Sequence, residues 1–174
     1  MNPAPHASMS AMGISASLVV GRDGSTTLGN NSAGVSNHAD RLDFLARRRS
    51  FDCIIIGGNT ARSEPYSKTP VPLVIISRSS IHPLPENPQA YLWNTSLVAA
   101  IAKAKSLYGE NILIEGGPML VNELLRQDSI DDLYLTITPH AGGSNIFDWE
   151  SALEKFAHVQ IHEIDGTKFY HATN

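Results

Sequence analysis

Ile54-Ile55-Ile56-Gly57-Gly58-Asn59-Thr60 and Ile112-Leu113-Ile114-Glu115-Gly116-Gly117-Pro118 carry one design twice. In each, a short run of branched apolar residues stops at a glycine pair, and a helix-compatible segment follows at once. An apolar run without alternation is the pattern of a strand covered on both faces, which is how parallel sheets are built. Pro118 fits the first turn of a helix, where its missing N–H costs little.

Outward from these junctions the pattern repeats. Gly13 to Val20 reads as a first strand, followed by the loop Gly21-Arg22-Asp23-Gly24 and a polar loop from Asn30 to Ser36. Asn37 is a good N-cap with Asp40 behind it, and Leu42, Leu45 and Ala46 give a helical stripe to about Arg48. Strands follow at Phe51 to Ile56, Pro72 to Ser77 and Ala90 to Trp93. Thr95 or Ser96 caps an Ala-rich helix to about Leu107, and a further helix runs from Pro118 to Gln127. Leu133 to Thr138 is rich in strand formers. Val159 to Ile164 and Thr167 to Ala172 flank Asp165-Gly166, the strongest short hairpin signal. Alternating β and α elements with an antiparallel tail imply a three-layer α/β domain with a mostly parallel mixed sheet. The expected organisation is a flexible tail over residues 1–12 and one domain over 13–174.

Composition narrows the function classes. The 174 residues are 42% hydrophobic and 17% charged, with a formal net charge of −4. That balance argues against a nucleic-acid partner, which needs clustered Lys and Arg. The one dense cluster, Arg47-Arg48-Arg49, closes a predicted helix, where cations suit the helix dipole. No stretch reaches the roughly 20 apolar residues of a membrane span. Met1 to Ser10 lacks the basic and apolar regions of a signal peptide, and the one cysteine, Cys53, sits in an apolar run. The expectation is a cytoplasmic protein with a buried free thiol. The seven histidines show no metal-ligand spacing, and no metal is assigned.

Glycine at a strand-to-helix junction lets a phosphate approach unpaired backbone N–H groups. It serves equally as a tight turn. Two such junctions suit a long, doubly charged ligand such as a dinucleotide at the carboxyl ends of the strands. Ser77-Arg78-Ser79, at the end of another strand, suits an adenosine 2′-phosphate or is simply an exposed loop. Two carboxylates sit at strand exits. Glu115 ends a buried strand, where a carboxylate is unfavourable unless paired, and Asp23 is either an ordinary turn residue or a group facing a ligand.

Ile114-Glu115-Gly116-Gly117-Pro118-Met119-Leu120, then Leu124-Leu125 and Ile130-Asp131-Asp132-Leu133, resemble a signature of the reductase domain of bacterial riboflavin biosynthesis, within the dihydrofolate-reductase-like fold. Asp23-Gly24-Ser25-Thr26-Thr27, Asp40-Arg41 and the segment Gly57 to Tyr66 are similar to a single-domain branch of these proteins. The resemblance runs from about Ile14 to Tyr170. It implies a dihydrofolate-reductase-like α/β/α fold, a homodimer, and NADPH-dependent reduction of a pyrimidine-linked ribose phosphate to its ribitylamino form.

It also implies roles. Gly57, Thr60 and Glu64 would touch the cofactor at one junction; Gly116, Gly117, Pro118, Met119 and Leu120 would hold it at the other. Ser77 and Arg78 would meet its 2′-phosphate. Ser32, Arg48 and Glu115 fall where the family contacts substrate. Asp23 is expected to handle the proton and Glu115 to position the substrate, so both stand as catalytic candidates. Gly21 and Ser25 stand where the family often has Ser and Lys. Lys68 is the one cation in the stretch where an Arg usually binds the ribose phosphate. Dihydrofolate reductase itself is a second enzyme reading, with no tryptophan near the first helix to match it. A degenerate NADPH-binding protein is a third, told apart by binding without turnover.

Overall fold

The computed structural model describes residues 13–174, so the tail expected over residues 1–12 lies outside the described residues. Ten strands and five α-helices are built from them. The strands are β1 (Ile14–Gly21), β2 (Ser25–Thr27), β3 (Cys53–Gly57), β4 (Leu73–Ile76), β5 (Ala90–Trp93), β6 (Ile112–Glu115), β7 (Asp132–Thr138), β8 (Ser144–Ile146), β9 (His158–Ile164) and β10 (Thr167–Thr173). The helices are α1 (His38–Arg47), α2 (Gly58–Ser63), α3 (Leu97–Tyr108), α4 (Pro118–Arg126) and α5 (Trp149–Leu153).

Eight strands form one sheet in the order β5-β4-β3-β6-β1-β7-β10-β9. The pairings from β5 to β7 are parallel, while β10 runs antiparallel to both β7 and β9. The continuous apolar runs face both ways, as parallel strands buried on two sides require. Cys53 and Ile55 of β3 pack with Ile112 and Ile114 against α3, α4 and α5. Ile54 and Ile56 turn to the other face, with Leu73, Ile75, Phe51 and Ala61 of α2. Cys53 is a buried free cysteine, and burial pushes its thiol up to about 12. At the β9–β10 turn, Asp165 and Gly166 both have positive φ, 50° and 76°, which is the turn that Asp-Gly favours.

Helix α1 departs from expectation. Asn37 caps it as predicted, accepting from the Asp40 N–H at 3.0 Å. Its apolar stripe, however, does not face the core: Leu42 is 57% exposed and Leu45 is also exposed, whereas Asp40 is the buried residue of the helix. The inward face is polar. The Arg47 guanidinium donates to Ser17 Oγ of β1 at 2.8 Å and lies 4.3 Å from the centre of the Tyr134 ring of β7.

Three short elements carry no periodic signal and were not expected. β2 and β8 pair with each other as a separate two-stranded ribbon, and α5 is a five-residue helix capped by Asp148. The polar stretch Asn30 to Ser36, expected as loop, holds a 3₁₀ turn, Ser32–Gly34, capped by Asn31.

Candidate active site

A cleft of about 790 Å³ opens at the carboxyl ends of β3, β4 and β6, bounded on its far side by α1. One wall is made of backbone. Gly57 is the N-cap of α2 and Gly117 the N-cap of α4, and neither helix has a side-chain cap. A Cβ on Gly117 would meet nothing within 4 Å, and one on Gly57 would meet only Leu120 Cδ1 at 3.8 Å. Both caps therefore leave room for an incoming group against the backbone. Thr60 Oγ1 accepts from the Gly117 N–H at 3.4 Å and joins the two junctions. Gly116 cannot be replaced lightly: its φ is +110°, and a Cβ there would sit 2.6 Å from Thr60 Oγ1. Ser77, Arg78, Pro118, Met119 and Leu120 line the same wall. Arg78 is exposed and makes no ion pair or hydrogen bond among the described residues. Open backbone at a helix N-terminus beside a free cation fits an extended dianion, and so fits a dinucleotide.

The opposite wall is made of side chains. After α1 the chain tightens into a 3₁₀ turn, Arg48–Ser50, which carries Arg48 inward until it is 3% exposed. Its Nε donates to Glu115 Oε1 at 2.9 Å and its Nη2 to Oε2 at 2.6 Å. The buried Tyr66 hydroxyl donates to Oε2 as well, at 2.9 Å. The guanidinium lies over Phe44 at 4.1 Å and over Tyr66 at 4.6 Å from the ring centres. Burial alone would lower the Arg48 pKa, but the hydrogen bonds and charge of Glu115 outweigh it and raise the group above its ordinary value. Burial, then the Glu115 charge, pushes the Tyr66 hydroxyl well up, so it stays protonated and donates.

Most of the residues expected from sequence meet here. Gly57, Thr60, Glu64, Ser77, Arg78, Gly116 to Leu120, Ser32 and Arg48 all line the cleft. Glu64 and Ser32, expected to serve different ligands, are bound to each other: the Glu64 carboxylate accepts from the Ser32 N–H at 2.7 Å and from its Oγ at 3.0 Å. The two carboxylates expected to do chemistry, Glu115 and Asp23, are not among the residues that line the cleft. Glu115 lies behind the wall, with both oxygens engaged by Arg48 and Tyr66.

Asp23 also lies off the cleft. Its carboxylate accepts from Ser25 Oγ at 2.6 Å, the Ser25 N–H at 3.1 Å and the Gly142 N–H at 2.6 Å. Those bonds, the Ser25 hydroxyl first, hold its pKa down at about 2. A group so acidic carries no proton to give at neutral pH. Asp23 ties the loop after β1 to the loop after β7.

Tyr66 and Asp40 also line the cleft, and the sequence reading gave neither a role in it. Tyr66 stood in a quoted motif, after Pro65, without a role; its signal was only an aromatic hydroxyl within a proline-rich loop. Asp40 is hidden because an acid in the first turn of a helix is ordinary.

Residues 14–167 match the family model described as the RibD C-terminal domain. The chain belongs to the RibD C-terminal domain family. A curated relative, the uncharacterized protein YwjB of Bacillus subtilis strain 168, is 28% identical over 104 residues, which is 56% of this chain and 58% of that protein. Among solved structures, the diaminohydroxyphosphoribosylaminopyrimidine deaminase/5-amino-6-(5-phosphoribosylamino)uracil reductase of Thermotoga maritima superposes with a TM-score of 0.67 at 13% identity, over 92% of this chain and 56% of that one. A pyrimidine reductase-like protein of Corynebacterium diphtheriae gives 0.69 at 17% identity, over 92% and 91%. The chain thus spans little more than half the length of YwjB and of the Thermotoga protein. The likenesses show the fold, a dihydrofolate-reductase-like α/β/α arrangement. In this RibD C-terminal domain the glycine wall and the arginine wall are built from the same segments that carry the resemblance. No helix of the described residues is long and apolar enough to cross a membrane.

Proposed function

We propose that this RibD C-terminal domain is an NADPH-dependent reductase of a pyrimidine-linked ribose phosphate, with 5-amino-6-(5-phosphoribosylamino)uracil, named for the Thermotoga relative, as its substrate. The observation that carries this is the glycine wall: the N-terminus of α4 without a side-chain cap, open at Gly117, beside the exposed Arg78. Backbone N–H groups there would take the pyrophosphate, Thr60 would hold the two junctions in register, and Arg78 would take the 2′-phosphate that separates NADPH from NADH. Bound there, the cofactor would supply hydride to the substrate's ribosyl carbon.

The protein's own work is to bind, orient and exclude water. Glu115 and Tyr66 fix Arg48 with Nε and Nη2 engaged, which leaves Nη1 outside the carboxylate pair. A cation held so rigidly suits an anionic or carbonyl-rich substrate, and it loses little freedom on binding. Calorimetric titration with NADPH and NADH, followed by loss of NADPH absorbance on adding the pyrimidine, tests this. NADPH should bind at least about tenfold tighter, a difference near 1.4 kcal/mol. Equal affinities would remove the 2′-phosphate role, and binding without turnover on the pyrimidine would favour a non-enzymatic protein. A homodimer forms part of the proposal, supported by the family resemblance; sedimentation equilibrium at twice the chain mass would bear it out.

A further inference from the structure

Three carboxylates lie in or against the cleft, and they differ in what neutralises them. Glu115 is paired with Arg48, and Glu64 accepts two hydrogen bonds from Ser32. The third is Asp40. It lines the cleft, is 6% exposed, and makes no ion pair among the described residues. Its hydrogen-bonding partners are hydroxyls. Ser36 Oγ lies 2.5 Å from Asp40 Oδ2, and Ser36 lines the cleft as well; Thr136 of β7 provides the second bond. The cation whose charge acts on Asp40, Arg47, is hydrogen-bonded to Ser17 and ion-paired with Asp43.

A carboxyl group buried among hydroxyls, with no cation in contact, is better off neutral than charged. Hydroxyls can accept a hydrogen bond from the acid as readily as they donate one to its anion. We propose that Asp40, with Ser36 bonded to it, is the acid that delivers the proton of the reduction. This rests on the reductase reading given above. In the step, the Asp40 O–H bond breaks and its electron pair stays on the carboxylate. The proton goes to the oxygen or nitrogen of the substrate's C=O or C=N group, whose carbon takes hydride from the reduced nicotinamide. The products are the saturated C–H, the new O–H or N–H, and oxidised nicotinamide; solvent returns the proton to Asp40.

The surroundings agree with a protonated acid. Burial raises the Asp40 pKa, against the lowering effects of the Ser36 and Thr136 bonds and of Arg47, and Asp43 adds to the rise. Across the sheet, the strand partners of Thr136 are Val19 on β1 and Phe169 on β10, neither of them charged. Arg41, Arg62, Arg78, Arg48 with Glu115 behind it, and Glu64 are the other charged groups along the cleft.

Two measurements on the full chain test the assignment. In the first, carboxyl carbon NMR of ¹³C-labelled aspartates follows the titration, with the Asp40 signal identified by its loss in Asp40→Asn. Asp40 should titrate above the ordinary aspartate value of about 3.9. A midpoint at or below that value overturns the proposal, whatever the substrate. In the second, kcat is measured against pH with 5-amino-6-(5-phosphoribosylamino)uracil and NADPH. The rate should fall as pH rises through the Asp40 pKa, because the acid is lost. Asp40→Asn should abolish that limb and lower the plateau by about 10²- to 10⁴-fold, the range for acid–base catalysis, with NADPH affinity unchanged.

Ser36→Ala removes a bond that favours the anion, so it should move both the limb and the NMR midpoint to higher pH. A limb retained in Asp40→Asn, or unmoved in Ser36→Ala, overturns the proposal. If the parent protein turns over no pyrimidine, the reductase reading fails, and the NMR midpoints of the parent and Ser36→Ala proteins decide Asp40 alone.

Discussion

The two walls of the cleft handle charge in opposite ways. Among the described residues the glycine wall has no built-in anion: Gly57 and Gly117 present open backbone, and exposed Arg78 makes no ion pair or hydrogen bond. Its charges are balanced only when a ligand arrives. The arginine wall is balanced before any ligand arrives, with Arg48 and Glu115 buried and joined, Tyr66 bonded to the carboxylate and aromatic faces on the guanidinium. Substitutions on the first wall should therefore change binding and leave folding alone. Those on the second should change folding first.

Removing one partner of the buried pair tests this most severely. Glu115→Ala leaves an unpaired guanidinium and a Tyr66 hydroxyl without its acceptor, and should destabilise the protein by about 3–5 kcal/mol. Denaturant unfolding measures it. Glu115→Gln keeps an acceptor for Tyr66 and should lose less. A stability close to the parent's in Glu115→Ala would erase the contrast between the walls.

Gly117→Val makes the opposite case. Gly117 has φ −67° and open space around the missing Cβ, so the backbone tolerates a side chain. Stability should fall by no more than about 1 kcal/mol, from a poorer N-cap. NADPH affinity should fall by two orders of magnitude or more, about 2.7 kcal/mol, because the valine occupies the space for the pyrophosphate. Unaltered NADPH binding in a folded Gly117→Val protein would reduce the junction to a turn. Arg78→Ala is milder: about 10- to 150-fold weaker NADPH binding, with NADH binding nearly unaffected. Equal losses for the two cofactors would assign Arg78 to some other anion.

The walls also differ in how legible they were. The glycine wall is written contiguously: an apolar run, a glycine pair and Pro118 say locally where a strand ends and a helix begins. The parallel sheet follows from the same runs, and Asp165-Gly166 announces the last hairpin. The arginine wall is assembled from residues far apart in the chain. Glu115 could be seen to need a partner, but nothing local says that it is Arg48, turned inward by one 3₁₀ turn, or that Tyr66 joins them. Helix α1 misleads for the same reason. Its leucines look like the buried stripe, yet the face toward the sheet is lined by Asp40 and Arg47, because it borders a polar cleft. β2 and β8 are three residues each, too short for any period to show.

Asp23 gives the smallest effect and belongs to neither wall. Its carboxylate accepts three hydrogen bonds and is held at about 2, below the ordinary aspartate value. A folded pKa below the unfolded one means the ionised form is favoured by folding. The stability it provides is present above the unfolded value of about 3.9, and is lost as pH falls from there through about 2. In Asp23→Asn this window should flatten: acid unfolding should become less steep between about pH 4 and pH 2, while stability at neutral pH falls only slightly, since the carboxylate is exposed. The same variant separates a structural Asp23 from a catalytic one. With the proton supplied from elsewhere, turnover on a confirmed pyrimidine should stay within about threefold of the parent, far short of the loss expected on removing a catalytic acid. A loss of 10²-fold or more with unchanged folding and cofactor affinity would return Asp23 to the chemistry, and would require the loop after β1 to close over the cleft when substrate binds.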